Sequence, residues 1–183
     1  MPSASKIQLR LDSSGWGLPD ARRAAAQVLA RPGLLKPLLR ALFSDDAILR
    51  HRASDTARRI AEGHPELLTP HADRILGLFS ESANDNWRTR AHLGLIVARI
   101  ARSRPHRLRA AGLLMPLYFD PSNVVRCSAI EGLGLLAHRE PSLRPQVEPL
   151  LEESLATGTL AMQNRARHAL ARWVPELPRR KPH

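Results

Sequence analysis

The fold is decided by the segment Asp120-Pro121-Ser122-Asn123-Val124-Val125-Arg126-Cys127-Ser128-Ala129-Ile130-Glu131-Gly132-Leu133-Gly134-Leu135-Leu136-Ala137. Four of its apolar residues, Val125, Ala129, Leu133 and Leu136, are spaced i, i+4, i+8 and i+11, which places them on one stripe of an α-helix. An aspartate precedes the apolar run, where its side-chain oxygen can cap free helix amides. The segment therefore predicts a helix with one buried face.

The same pattern recurs along the chain at intervals of 37 or 38 residues. In this register Arg126 corresponds to Arg88 and Arg50, and Trp87 takes the place of Val125 as a core residue. A period of this length is typical of helical-repeat proteins, in which each unit stacks on the next. Four apolar columns define the register: Leu49, Trp87, Val125 and Met162; Ala53, Ala91, Ala129 and Ala166; Ala57, Leu95, Leu133 and Leu170; and Ile60, Ala98, Leu136 and Trp173.

A proline follows each of these helices, and a proline can begin a helix but cannot continue one. We therefore predict a corner between a first and a second helix at Pro32, Pro65, Pro105, Pro141 and Pro175. Asp45-Asp46, Asn84-Asp85 and Asp120 are predicted to cap the first helices. First helices are expected at 19–30, 47–63, 87–103, 122–138 and 160–174, and second helices at 34–43, 70–80, 106–119 and 144–156.

This unit, with an aspartate, a Val-Arg pair and a spaced Ala/Leu core, resembles the HEAT-repeat family. The resemblance implies an all-α, right-handed, curved α-solenoid of about five helical pairs, with the second helices on the concave side. It also implies that the repeated arginine ties neighbouring repeats together through acidic groups. The expected domain is 18–177, with repeats at 18–44, 45–83, 84–120, 121–157 and 158–177, a flexible segment 1–17 and a basic tail 178–183.

Composition supports a helical protein without a membrane segment. Aromatic residues make up only 4%, and alanine and leucine, which favour helices, supply most of the apolar content. One cysteine excludes an internal disulfide, and no run of 18 apolar residues or signal peptide is present. We expect a soluble, cytoplasmic protein, and the bias toward Ala, Arg, Leu and Pro is typical of GC-rich bacterial genomes.

The net charge of +11 attracts polyanions. Basic residues exceed acidic ones in 18–44, 84–120 and 158–183, but 45–83 and 121–157 are mildly acidic. This alternation counts against one continuous track for nucleic-acid phosphates.

No motif in the sequence indicates catalysis, a metal or a cofactor. The eight histidines form no His-Glu-x-x-His motif and are expected on the surface. Cys127 lies within a predicted helix and is expected to be buried and inert, and Gly132 and Gly134 are expected mid-helix, where they let helices approach. We expect no small-molecule substrate.

The leading hypothesis is a non-catalytic scaffold that binds a protein partner on its concave face. The alternative is nucleic-acid binding, because arginines concentrate between residues 99 and 109. A third possibility is an enzyme similar to the HEAT-like DNA glycosylases, but Ala91 stands where their carboxylate is expected, which leaves Asp73 and Asp120 as the nearest acids. The candidate partner-binding or phosphate-binding residues are Lys36, Arg40, Arg74, Arg104, Arg107 and Arg109.

Overall fold

The computed structural model describes Leu11 and residues 15–173. Within these residues the chain forms nine α-helices, connected by short 3-10 segments, and no strand. The first helices are α1 (Leu18–Ala30), α3 (Ala47–Gly63), α5 (Trp87–Ile100), α7 (Asn123–Arg139) and α9 (Leu160–Ala171). The second helices are α2 (Leu35–Leu42), α4 (Ala72–Glu81), α6 (Arg104–Leu114) and α8 (Arg144–Thr157).

The helices pack against one another in chain order. Each first helix packs on the next, α1 on α3, α3 on α5, α5 on α7 and α7 on α9, and each second helix packs on the first helix that follows it. Ser54 contacts His92 in the middle of α3 and α5, and Arg139 contacts Arg99 near the ends of α7 and α5. Such contacts show that successive first helices run parallel. The first helices therefore begin together at one edge, the amino edge, and end together at the opposite one, the carboxyl edge.

Small residues allow the first helices to approach closely. A Cβ at Gly132 would lie 2.9 Å from Cδ1 of Leu114 and 3.3 Å from Cβ of Ala98. A Cβ at Gly134 would overlap the side chain of Ala169 on α9. The predicted mid-helix position of these two glycines is confirmed, and their small size explains how α7 fits between α5 and α9.

The helix cap of the third repeat departs by two residues from the predicted 38-residue spacing, although the predicted core residues Ala91, Leu95 and Ala98 are buried. The caps of α3, α5 and α7 are Asp46, Asn86 and Ser122, so the spacing is 40 and then 36 residues rather than a constant 38. Asp85 and Asp120, two of the expected caps, instead accept from arginines of the preceding first helix. The proline that follows α5 shows the same shift, because Pro105 follows Pro65 by 40 residues.

This shift corrects the assignment of Trp87 to the core. Trp87 is the first residue of α5 and only half-buried, and the guanidinium of Arg88 lies 4.1 Å from the centre of its ring. Thr89, 2% exposed, is buried at this point instead. The remaining predicted core positions are buried, except that Leu49, Leu170 and Trp173 are half-buried.

Most helix boundaries lie within three residues of the predicted ones. The exception is the third second helix, where α6 ends at Leu114 and a 3-10 segment, Met115–Phe119, completes the predicted span. The predicted flexible segment 1–17 and tail 178–183 lie largely or wholly outside the described residues. Leu11 is described and is 5% exposed, and its carbonyl oxygen accepts a hydrogen bond from Arg52 Nη1 at 2.7 Å.

Candidate functional site

The six predicted binding residues all lie on the second helices. Lys36 and Arg40 are exposed on α2, and Arg74 is exposed on α4. Arg104 and Arg109 are exposed on α6, whereas Arg107 is only 17% exposed at its side chain. All six therefore belong to helices of the same kind, but the three arginines of α6 are not equivalent.

Two of the α6 arginines are held by the carboxylate that follows α7. Arg107 donates to Glu140 Oε2 from Nε and Nη2 at 3.3 and 2.9 Å. Arg104 Nε lies 3.5 Å from Glu140 Oε1. Hydrogen bonds from Ser142 and Arg107 lower the pKa of Glu140. Arg107 is therefore primarily a bridge between α6 and α7, and its charge is already compensated.

Arg109 faces the opposite neighbour. Its Nη1 lies 3.8 Å from Oδ1 of Asp73 on α4, an atom that also contacts His106 Nε2 at 3.0 Å. The Asp73 side chain is 80% exposed. This carboxylate links α4 to α6 at the surface, and the α6 charges are shared with both adjacent repeats.

The exposed face of the second helices carries both signs of charge. It is basic on α2, mixed on α4 and basic on α6, but exposed glutamates dominate α8, at Glu148, Glu152 and Glu153. Leu108 adds an apolar contact on α6, with 37% of its surface exposed. A ligand that spans this face must itself carry charges of both signs.

A groove of about 590 Å³ opens at the amino edge between the ends of α2 and α4 and the starts of α3 and α5. Arg74 forms one wall, with its guanidinium 4.2 Å from the centre of the Phe43 ring. The Arg50–Asp85 ion pair lines it too, and Nη1 of Arg50 donates to the Ser44 carbonyl at 2.6 Å. The groove is thus lined by the Arg50–Asp85 pair, by one aromatic ring, and by Asp45, Arg74 and Glu81, which form no ion pair among the described residues.

A polar layer that the sequence did not predict lies between α3 and α5. The rings of His51 and His92 stack with their centres 5.5 Å apart. Ser54 Oγ lies 3.0 Å from His92 Nδ1, and His92 Nε2 lies 3.9 Å from Asp55 Oδ1. Both histidines are part-buried, as are His71 and His106, whereas His64, His138 and His168 are exposed as predicted.

This serine, histidine and aspartate are not arranged for nucleophilic catalysis. Ser54 is 0% exposed, and its hydroxyl donates to the His51 carbonyl at 2.7 Å. Its oxygen is then an acceptor for the Nδ1–H of His92, so His92 cannot take the serine proton as a general base does. Burial lowers the pKa of His92 to about 4. The layer joins two helices through neutral hydrogen bonds.

The other residues that could take part in catalysis are hydrogen-bonded to neighbours or buried. Asp120 is 8% exposed at its side chain and accepts from Arg90 Nη2 at 2.8 Å and from the Ser122 amide at 2.7 Å. Cys127 is buried as predicted, and burial raises the pKa of its thiol, which keeps it protonated. Among the described residues no group of three His, Cys, Asp or Glu could hold a metal, and no helix is long and apolar enough to cross a membrane.

Arginines gather at the carboxyl edge beyond the six predicted residues. Arg139, at the end of α7, donates from Nη1 to the Arg99 carbonyl at 3.1 Å. Arg144, at the start of α8, lies over the Trp173 ring, with 5.3 Å from its guanidinium to the ring centre. Arg102 and Arg172 complete a set that we call the arginine corner: Arg102, Arg139, Arg144 and Arg172. The sequence prediction had Arg102 in its cluster but could not join it to three residues of α7, α8 and the end of α9.

No protein-family model matches this chain, and no curated protein has a matching sequence.

Proposed function

We propose that this protein is a non-catalytic binding module, a short HEAT-like solenoid that holds a protein partner on the exposed face of its second helices. The packing of each first helix on the next is consistent with such a stack. In HEAT-like proteins the corresponding face is concave, and the proposal carries that expectation to this chain.

The charge pattern of the second-helix face is the observation that carries the proposal. Exposed cations on α2 and α6 are followed by the glutamates of α8. A polyanion laid along the face would meet these glutamates, whereas a protein surface can present a complementary series of both signs. Leu108 among the charged groups adds the apolar contact that protein interfaces require.

The pairing on α6 favours a protein over nucleic acid for the same face. Arg107 and Arg109 are already bound to Glu140 and Asp73. Phosphate groups would have to displace these carboxylates, which reduces the number of counterions that binding releases.

Affinity capture with charge-reversal variants tests this function. The tagged protein, treated with nuclease, is used to retain proteins from a lysate of its source organism. A variant with Lys36→Glu, Arg40→Glu and Arg74→Glu should lose a specific partner. The matched control carries Arg22→Glu, Arg23→Glu and Arg167→Glu, which change the same charge at exposed positions of first helices.

Retention of one protein by the wild type and the control, with loss in the second-helix variant, supports the proposal. Two results contradict it: equal loss in both variants, or recovery of nucleic acid alone before nuclease treatment.

A further inference from the structure

No carboxylate of the described residues forms an ion pair with the arginine corner. The pKa of Glu66 is lowered by hydrogen bonds from its own backbone and from His64 and by the charge of Arg102, so Arg102 has this exposed acid in its surroundings. None of Arg102, Arg139, Arg144 and Arg172 lies within 4.0 Å of a carboxylate of the described residues. Glu140, which follows Arg139 directly, is bound to Arg104 and Arg107, and Glu131 is bound to Arg99 and Arg165.

Helix carbonyls, rather than acids, hold two of the four arginines of the corner in place. Nη1 of Arg139 lies 3.1 Å from the Arg99 carbonyl and 3.5 Å from the Ala98 carbonyl, at the end of α5. Nε of Arg144 lies 3.4 Å from the Ala137 carbonyl. Carbonyls at a helix end carry only a fractional negative charge, so these bonds fix the guanidinium groups without neutralising them.

The groups are close enough to repel one another. Burial and the positive charges of Arg102, Arg99, Arg107 and Arg172 lower the pKa of Arg139, and no carboxylate opposes this effect. Folding thus concentrates positive charge here at an energetic cost that a bound anion would remove.

We propose that the arginine corner binds the phosphate backbone of nucleic acid, at a surface separate from the second-helix face. All its cations are arginines, whose planar guanidinium groups form paired hydrogen bonds with phosphate oxygens. They lie at or just after the ends of α5, α7 and α9 and at the start of α8, so four elements contribute positive charge to phosphate groups at this edge.

The surroundings of the corner favour nucleic acid over an acidic protein. Among the exposed large apolar side chains of the described residues, Val124 and Leu160 lie at the opposite ends of α7 and α9, and Leu108 on α6 is the nearest to the corner along the chain. Protein interfaces need an apolar centre, whereas phosphate binding rests on charge alone. Trp173 is half-buried, and the guanidinium of Arg144 lies 5.3 Å from its ring centre. Because the corner offers charge to the phosphates rather than contacts to base edges, binding should be independent of base sequence.

Fluorescence anisotropy of a labelled 20-base-pair DNA duplex and of the matching single strand tests the site. With four arginines contacting phosphates, affinity for the duplex should fall about a hundredfold between 50 and 200 mM salt. The variant Arg102→Ser with Arg172→Ser should lower the slope of log affinity against log salt by about 2. Both residues are exposed, so the fold should survive, and circular dichroism checks this.

Lys36→Ser with Arg40→Ser is the matched control, because it removes two exposed charges from α2 and should leave the salt slope within about 0.5 of the wild type. Glu140→Gln removes the acid beside the corner and should raise affinity severalfold. The proposal is overturned if the control weakens binding as much as the corner variant, if poly-glutamate of equal charge competes as well as DNA, or if neither probe binds at 50 mM salt. Tighter binding of the single strand would identify the preferred form of nucleic acid without changing the site.

Discussion

Arginines are abundant at both edges of the helical stack, but they are compensated differently. At the amino edge Arg50 pairs with Asp85, and Arg90 pairs with Asp120. Each pair joins one first helix to the turn before the next first helix. The hydrogen bond with Asp85 raises the pKa of Arg50. At the carboxyl edge the pKa of Arg139 is lowered by burial and by neighbouring arginines.

The difference follows from helix polarity. The amino edge collects helix starts, whose partial positive charge favours aspartates as caps and neighbours, and these aspartates are then available to pair with arginines. The carboxyl edge collects helix ends, where carbonyl oxygens can bind arginines without full negative charge. Both edges are therefore hydrogen-bonded, but only the carboxyl edge keeps a surplus of positive charge for a ligand.

Asp120→Ala is the most direct test of the ion pairs at the amino edge. This change leaves the half-buried guanidinium of Arg90 without its carboxylate and frees the Ser122 amide. We expect the free energy of unfolding to fall by about 3 kcal/mol. Urea denaturation measures it.

Asp45→Ala is the control, because Asp45 is exposed and forms no ion pair among the described residues. It should cost less than about 0.5 kcal/mol. Equal losses for the two variants would show that the Arg90 pair does not hold the amino edge.

The polar layer between the two edges makes stability depend on pH. The pKa of His92 is lowered from 6.5 to about 4 in the folded protein, so the unfolded chain binds the proton first as pH falls. Stability that is present above pH 6.5 is therefore lost as pH falls toward 4, by roughly 3 kcal/mol in all. His92→Gln should remove much of this loss, measured by urea denaturation at about pH 7 and about pH 4.5.

His138→Gln provides the comparison, since His138 is exposed and lies outside the layer. The variant should keep the pH dependence of the wild type. If His92→Gln keeps it as well, another group causes the loss of stability in acid.

The smallest expected effect tests which arginine of α5, Arg88 or Arg90, forms the structural ion pair of the amino edge. Arg88 is exposed and stacks on Trp87, so Arg88→Ala should cost less than about 0.5 kcal/mol. Arg90→Ala leaves Asp120 buried without its partner and should cost about 2 kcal/mol. Thermal unfolding of the two variants compares their stabilities. A larger loss of stability for Arg88→Ala than for Arg90→Ala would show that Arg88, at the constant 38-residue spacing, is the structural arginine.

The sequence predicted the bounds of α3 and the start of α8 without error, because strong local signals mark them: Asp46 caps α3, and Pro141 begins the turn before α8. It failed in the first turn of α5, where Trp87 is half-buried and Thr89 is buried, although the Ala91 and Leu95 columns keep the predicted register. All residues from Leu93 to Ala98 are buried there, since α3 and α7 cover the helix on both sides. Apolar periodicity cannot fix the rotation of a helix that is apolar on nearly every side.

The sequence likewise predicted only part of the two candidate binding surfaces, the second-helix face and the arginine corner. Local sequence identified the arginines of α6 but not their pairing with Glu140 and Asp73, which lie 33 and 36 residues away from Arg107 and Arg109. The arginine corner was hidden for the same reason, because its members are brought together only where the ends of α5, α7 and α9 meet.

By itself, then, the sequence determined that the chain is helical, where its corners fall and that its charge is strongly positive. These properties follow from local spacing, from proline and capping residues, and from composition. The tertiary structure decided which arginines are compensated, because an ion pair between repeats depends on the register and approach of helices that are distant in the chain. It also decided that His92 is buried beside Ser54, since burial of a side chain on a helix depends on the neighbours that the helix acquires.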